Sequence, residues 1–159
     1  MGDRTAGLAC LEQAIDVAQK QGNSRMLFHL LIELGNENAE SYPERALDLH
    51  KRALSVASEL GGGCFEAEAL CNLGGDYCRL GQYADAQGLL ERGLQRIGQD
   101  GDRRLMGVLL FNLGEAHKGL GGMAKASEYA RAGIAMVEET DGRLASELKE
   151  QASRWECIT

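Results

Sequence analysis

A chain of 159 residues with 44% apolar content can bury a continuous core, and one proline against 21 glycines points to helices closed by glycine turns rather than to disorder. A formal charge of -7 argues against nucleic acid as a partner, since binding a phosphate backbone relies on Lys and Arg releasing counterions; it favours solubility and basic protein partners. Five cysteines, Cys10, Cys64, Cys71, Cys78 and Cys157, form no CxxC pair, which argues against a disulfide framework or a zinc module and fits reduced thiols in the cytoplasm. No apolar run is long enough to span a bilayer, no signal peptide pattern opens the chain, and the hydroxyl that a myristoylation motif requires is replaced by Ala6, with Thr5 one place early.

In chain order, residues 3–21 form the first predicted helix, with Leu8, Leu11, Ile15 and Ala18 at helical intervals and no partner preceding it. Gly22-Asn23 ends it. Ser24 is placed to cap a second helix striped by Leu27, Leu31 and Leu34, and Pro43 falls in the first turn of the next, where its missing donor costs nothing. These two helices form a hairpin over 24–60, closed by Gly61-Gly62-Gly63. A second hairpin covers 64–98 with its turn at Gly81. Asp100-Gly101-Asp102 separates it from a third, 103–139, broken at Gly121-Gly122. A last helix, 142–156, carries Leu144, Leu148, Ala152 and Trp155 on one side and Arg143, Glu147, Lys149, Glu150 and Arg154 largely elsewhere, as a terminal cap requires. The prediction is a single all-α domain over 1–159.

The hairpins are copies of one unit. Ala46, Ala86 and Ala126 are spaced by 40 residues, as are Leu73 and Leu113, Gly74 and Gly114, and Gly81 and Gly121; Leu34-Gly35 lies 39 before Leu73-Gly74, so one residue is missing from the turn near Ser41-Tyr42. Gly74 and Ala86 remove bulk where two helices approach, and Leu70, Leu73 and Tyr77 fill the spaces beside them.

This pattern resembles the tetratricopeptide repeat. Its small and large positions are read as Leu70, Leu73, Gly74, Tyr77, Ala86, Leu90 and Gly93, again as Leu110, Leu113, Gly114, His117, Ala126, Ala130 and Gly133, and earlier as Leu31, Leu34, Gly35, Asn38, Ala46, His50 and Ala53. Ala130, in place of a large residue, is expected to loosen the third hairpin. The long period, with NLGG, NLGE and ALDLHKRALSVASELGG, is similar to Pins-type modulators of G-protein signalling, kinesin light chains and sensor arrays of signalling ATPases. The resemblance implies a right-handed superhelical α-solenoid with a C-terminal capping helix, acting as a protein-interaction scaffold that binds an extended peptide or partner protein in its concave groove.

In such a repeat the first helix of each hairpin lines the groove. Intervals of four, three and four then place His29, Glu33, Asn36 and Glu40 on one row, Glu68, Asn72, Gly75 and Arg79 on the next, and Val108, Asn112, Glu115 and Gly119 on the third. Asn72 and Asn112 either bond the backbone of a bound peptide, as the resemblance implies, or are simply solvated asparagines. Glu33, Glu40, Glu68 and Glu115 either select Lys or Arg on a partner or serve solubility. The cationic clamp by which some relatives hold a terminal carboxylate is missing, with Ile32, Val108 and Asn112 in its places.

Cys64, Cys71 and Cys78, seven apart, would sit about 10 Å from one to the next along a helix, too far to share one metal, and read as packing residues. His50 and His117 fall at packing positions, and no catalytic, phosphate-loop or calcium-loop motif occurs. The expectation is a non-enzymatic scaffold without cofactor or metal and without nucleic-acid or membrane partners. A self-association module, giving a homo-oligomer, and a regulatory sensor segment of a larger signalling protein are the alternatives.

Overall fold

A computed structural model describes the backbone of residues 2–98 and 101–156, with the side chains of 6–98 and 101–155; Met1, the Thr5 side chain, Asp100 and Cys157, used in the readings above, lie outside the described residues. Eight helices and no strand make up the described chain: α1 Gly2–Lys20, α2 Ser24–Asn38, α3 Pro43–Leu60, α4 Gly63–Arg79, α5 Tyr83–Ile97, α6 Arg103–Gly119, α7 Met123–Glu138 and α8 Gly142–Glu156. Successive helices pack side by side, and α4 also packs on α6, so the hairpins α2–α3, α4–α5 and α6–α7 stack into a helical solenoid.

The local sequence explains where the helices start and stop. The side chains of Asn23, Asp102 and Asp141 accept from the backbone N–H three residues on, of Met26, Leu105 and Leu144, each within 3.1 Å. The cap of α2 is therefore Asn23; Ser24, expected in that role, is already the first helical residue. At the end of α4, Gly81 takes φ 73°, with its N–H bonded to Cys78 O and that of Gln82 to Tyr77 O; Gly121, at φ 81°, repeats this after α6 with Lys118 O and His117 O. The turn between α2 and α3, residues 39–42, lacks such a glycine. There the Tyr42 N–H bonds Asn38 O at 2.7 Å, and the fully buried Asn38 donates its side-chain N–H back to Leu34 O.

Each core region takes side chains from three or more successive helices. Ile15, Phe28, Leu31, Leu49 and Ala57 form the first with Ala69 of α4. Ala67, Cys71, Leu90, Leu109 and Leu113 belong to the second, and Phe111, Ala126, Val137, Leu148 and Trp155 to the third. Helices α4 and α6 each serve two cores, so no hairpin buries its apolar stripe alone.

The repeated glycine in the first helix of each hairpin accommodates the residue at the 50, 90 or 130 position. A Cβ on Gly74 would lie 2.5 Å from the Leu90 side chain, and one on Gly35 would strike the His50 ring. Gly74 thus makes room for Leu90 rather than for Ala86, which is itself fully buried. In the third hairpin the small Ala130 has the opposite effect from the loosening expected. A Gly114 Cβ would lie 2.9 Å from Ala126 O and 3.2 Å from Ala130 N, so the two backbones come together and the Trp155 ring closes the edge at 3.4 Å. Phe111 packs on Trp155 with ring centroids 5.3 Å apart.

Candidate functional site

The first helices of the second and third hairpins and the last helix enclose a groove of about 580 Å³. Asn72 and Arg79 reach it from α4, Asn112 and Glu115 from α6, and Glu40 from the α2–α3 turn, so five of the nine residues selected from the sequence line one concavity. A recess of about 400 Å³ shares Glu40 and Arg79 with it and adds Asn36 and Glu37. His29 and Glu33 lie further along α2 in a shallow depression with Arg25, Met26 and Leu30. Glu68 is half-buried, and burial raises its carboxyl above the ordinary value despite His29 and Arg104 nearby.

The two asparagines are held by the protein itself. Asn72 Nδ2 donates to Glu68 O at 3.0 Å, one turn back on α4. Asn112 Nδ2 lies 3.5 Å from Cys71 O and 3.6 Å from Cys71 Sγ, across the α4–α6 contact. Each amide nitrogen thus makes a contact within the protein, which leaves its second N–H and the carbonyl oxygen without a role in these contacts.

Cys71 and Cys78 are buried beneath them, and burial pushes both thiols up to about 12. Thiols in that state are neutral packing groups at physiological pH. Cys64 is exposed, so the three cysteines do not share one environment.

Glu115 is half-buried in the groove wall. Burial raises its carboxyl above the ordinary range, with Lys118 and Arg79 offsetting part of the shift. A raised folded value means that this residue favours the fold when protonated and that the benefit is lost as pH rises through the folded value. Glu115→Gln, uncharged throughout, is therefore expected to raise the unfolding midpoint at neutral pH by roughly 2–4 °C, the shift that about 1 kcal/mol produces in a chain of this size. The advantage should vanish toward pH 3. A thermal melt series across pH checks both; a variant less stable than wild type at pH 7 would show that the carboxylate is a net structural asset.

Among the groove residues that the spacing did not select are two cations. Lys118, one turn beyond Gly114 on α6, lines the groove, and its Nζ stands 5.0 Å from the centre of the Trp155 ring. Arg154, assigned with the solvent-facing side of the last helix, also lines it, together with Leu148 and Gln151. The spacing put Gly119 after Glu115 in that row, whereas the groove takes Lys118, three residues on from Glu115. Arg154 was not legible from spacing, because only the docking of α8 sets its direction.

A buried polar pair lies behind the groove. His50 Nδ1 and Asp76 Oδ2 are 2.5 Å apart with both side chains 1% exposed, and Arg79 Nη1 donates to Asp76 Oδ1 at 3.0 Å. His50 is a core residue, as its packing position suggested. Its partner comes from a different hairpin. His117 stacks on Tyr129 with centroids 5.2 Å apart and is likewise a packing residue. Among the described residues no helix is long and apolar enough to cross a membrane.

Comparison with known proteins agrees with this architecture. The solved structure of BtubC (BKLC) from P. vanneervenii superposes with a TM-score of 0.76 at 17% identity, covering 96% of this chain. The chain spans 65% of the BtubC chain, and at this identity the likeness concerns the fold alone. The MamA structure aligns at 15% identity over 90% of this chain and 97% of its own, with a TM-score of 0.34 that supports no inference. No curated protein matches. The family model described as tetratricopeptide repeat matches residues 39–96 and 65–139, more than half of the chain. With three stacked hairpins built on the same small-residue contacts, the chain belongs to the tetratricopeptide repeat family.

Proposed function

We propose that this protein is a cytoplasmic, non-enzymatic scaffold that holds an extended peptide, or an extended segment of a partner protein, along the concave face of α2, α4 and α6. Repeats of this family generally mediate protein–protein interaction. The observation that carries the peptide reading is the pair Asn72 and Asn112, at equivalent places on successive hairpins, both lining one groove and each with an N–H and the carbonyl oxygen outside its contacts within the protein. Carboxamides repeated at the spacing of the hairpins suit the backbone groups of an extended peptide whatever its side chains. Glu33 and Glu40, on the α2 side, are the residues that would select Lys or Arg on the partner.

Asn72→Ala/Asn112→Ala is expected to keep its unfolding midpoint, since each side chain makes only marginal bonds within the protein, and to lose affinity roughly tenfold or more. Affinity capture with wild type and double variant, followed by mass spectrometry, makes the comparison. Equal retention of the same proteins by both would reject the groove.

Self-association is the second reading, favoured by the outer face of α1. A Cβ on Gly7 would meet nothing within 4 Å, and Val17 is about half exposed, as is Met26 at the start of α2. Light scattering distinguishes the two: a mass that doubles with concentration supports self-association, and a constant monomer mass supports the peptide scaffold. A role as the sensor segment of a larger signalling protein is compatible with either.

A further inference from the structure

We propose that the α8 end of the groove is an acid-recognising subsite, formed by Arg79, Lys118 and Arg154, that takes Asp or Glu side chains of a peptide whose backbone runs over Asn72 and Asn112. The inference rests on the groove reading and reverses, for this end, the preference for basic partners that the overall charge of -7 suggests. Three cations from three different helices line one concavity, against the two carboxylates of Glu40 and Glu115. The second of these stands half-buried in the same wall as Lys118. Arg79 and Arg154 are already paired with Asp76 and Glu150, so what the recess offers an anionic group is a cluster of cationic N–H donors rather than a net positive field.

The cations are also held in place. Arg79 is tied to Asp76, whose other oxygen is fixed by the buried His50, yet its side chain remains 49% exposed. Lys118 rests over the Trp155 ring, and Arg154 pairs with Glu150 on the preceding turn of α8 at 2.7 Å. A cation already ordered by the protein loses less side-chain freedom when a ligand carboxylate arrives, and a guanidinium can present two N–H groups at once. On the α2 side the groove residues are Glu33, Asn36 and Glu40. Carboxylates thus outnumber cations on the α2 side, where Arg25 stands beside Glu33, Glu37 and Glu40, while the cations of the concave face gather toward α8; this favours a bound segment with basic residues toward α2 and acidic residues toward α8.

The test is selection from a displayed library of random dodecapeptides fused at their C-termini, so that no free terminal carboxylate is offered. Wild type, Lys118→Gln/Arg154→Gln and Asn72→Ala/Asn112→Ala are compared, after thermal melts show that all three are folded. The expected result is enrichment of Asp- and Glu-bearing peptides on wild type, with affinity falling about tenfold in the Lys118/Arg154 variant and on raising salt from about 0.1 to 0.5 M. Neutral or basic peptides that bind the Lys118/Arg154 variant as well as wild type but are lost from the asparagine variant would overturn the subsite and leave the groove standing. Acidic peptides indifferent to the loss of Lys118 and Arg154 would also overturn it. No enrichment, or peptides unaffected by either double variant, would overturn subsite and groove together.

Discussion

Replacing Gly133 by valine is expected to destabilise the protein by about 3 kcal/mol, lowering the thermal midpoint by roughly 6–12 °C. A Cβ at this position would run into Gly107 O and lie 2.8 Å from Phe111 N, both backbone atoms of α6. A Cβ on Gly107 would in turn lie 2.7 Å from Gly133 O, so the two helices cross glycine to glycine. Two effects compete. A side chain in place of a mid-helix glycine reduces backbone entropy in the unfolded chain, worth at most about 1 kcal/mol. Against this, no side chain can rotate away, so the helices themselves must separate, and the overpacking cost dominates. Gly88 on α5 provides the control, since its Cβ would meet nothing within 4 Å; Gly88→Ala should stabilise by about 0.5–1 kcal/mol. Because repeats stabilise their neighbours, amide exchange in α6, α7 and α8 should rise in the valine variant more than in α1 and α2. Unchanged midpoint and exchange would show that the crossing can relax.

The second large effect is expected at the buried pair. Asp76→Ala should cost about 3 kcal/mol, because it leaves His50 in the core without the carboxylate that satisfies Nδ1, and Nε2 already lacks a partner. The repeat supplies the compensating change. Forty residues on, the places of His50 and Asp76 are taken by Leu90 and Ala116, both fully buried in the second core. The double replacement His50→Leu/Asp76→Ala is therefore expected to recover to within about 1 kcal/mol of wild type, since exchanging both polar partners for apolar groups leaves no unmet hydrogen bond. Gly35 already provides the space beside residue 50 that Gly74 provides beside Leu90. Denaturant unfolding of the two single variants and the double completes a cycle. A double variant as unstable as the single one would mean that the pair shapes the α3–α4 contact beyond its own hydrogen bonds.

The fold was readable to the extent that it repeats. Leu73 and Leu113, Gly74 and Gly114, and Ala86 and Ala126 stand forty residues apart, so one structural unit is written more than once and the period exposes it. Individual contacts were less accessible. Whether Asn23 or Ser24 caps α2 depends on one backbone angle, and whether Ala130 loosens or tightens its hairpin depends on whether the helices can close up behind it.

The groove divides in the same way. Asn72, Asn112 and Glu115 follow from helical spacing, because residues four and three apart share a face. The contacts of the amides do so only in part, since Asn72 bonds Glu68 O one turn back on its own helix, whereas Asn112 reaches Cys71 of α4, which helix packing places there. The sequence by itself determined a helical repeat, its hairpins and the polar rows along their first helices, because these depend on periodicity within one element. The stacking of the helices decides that Asp76 reaches His50 and that Lys118 and Arg154 both line the end of the groove. Those arrangements join residues 26 or more apart or on different helices, where the separation between side chains is set by how the helices stack and not by their order along the chain.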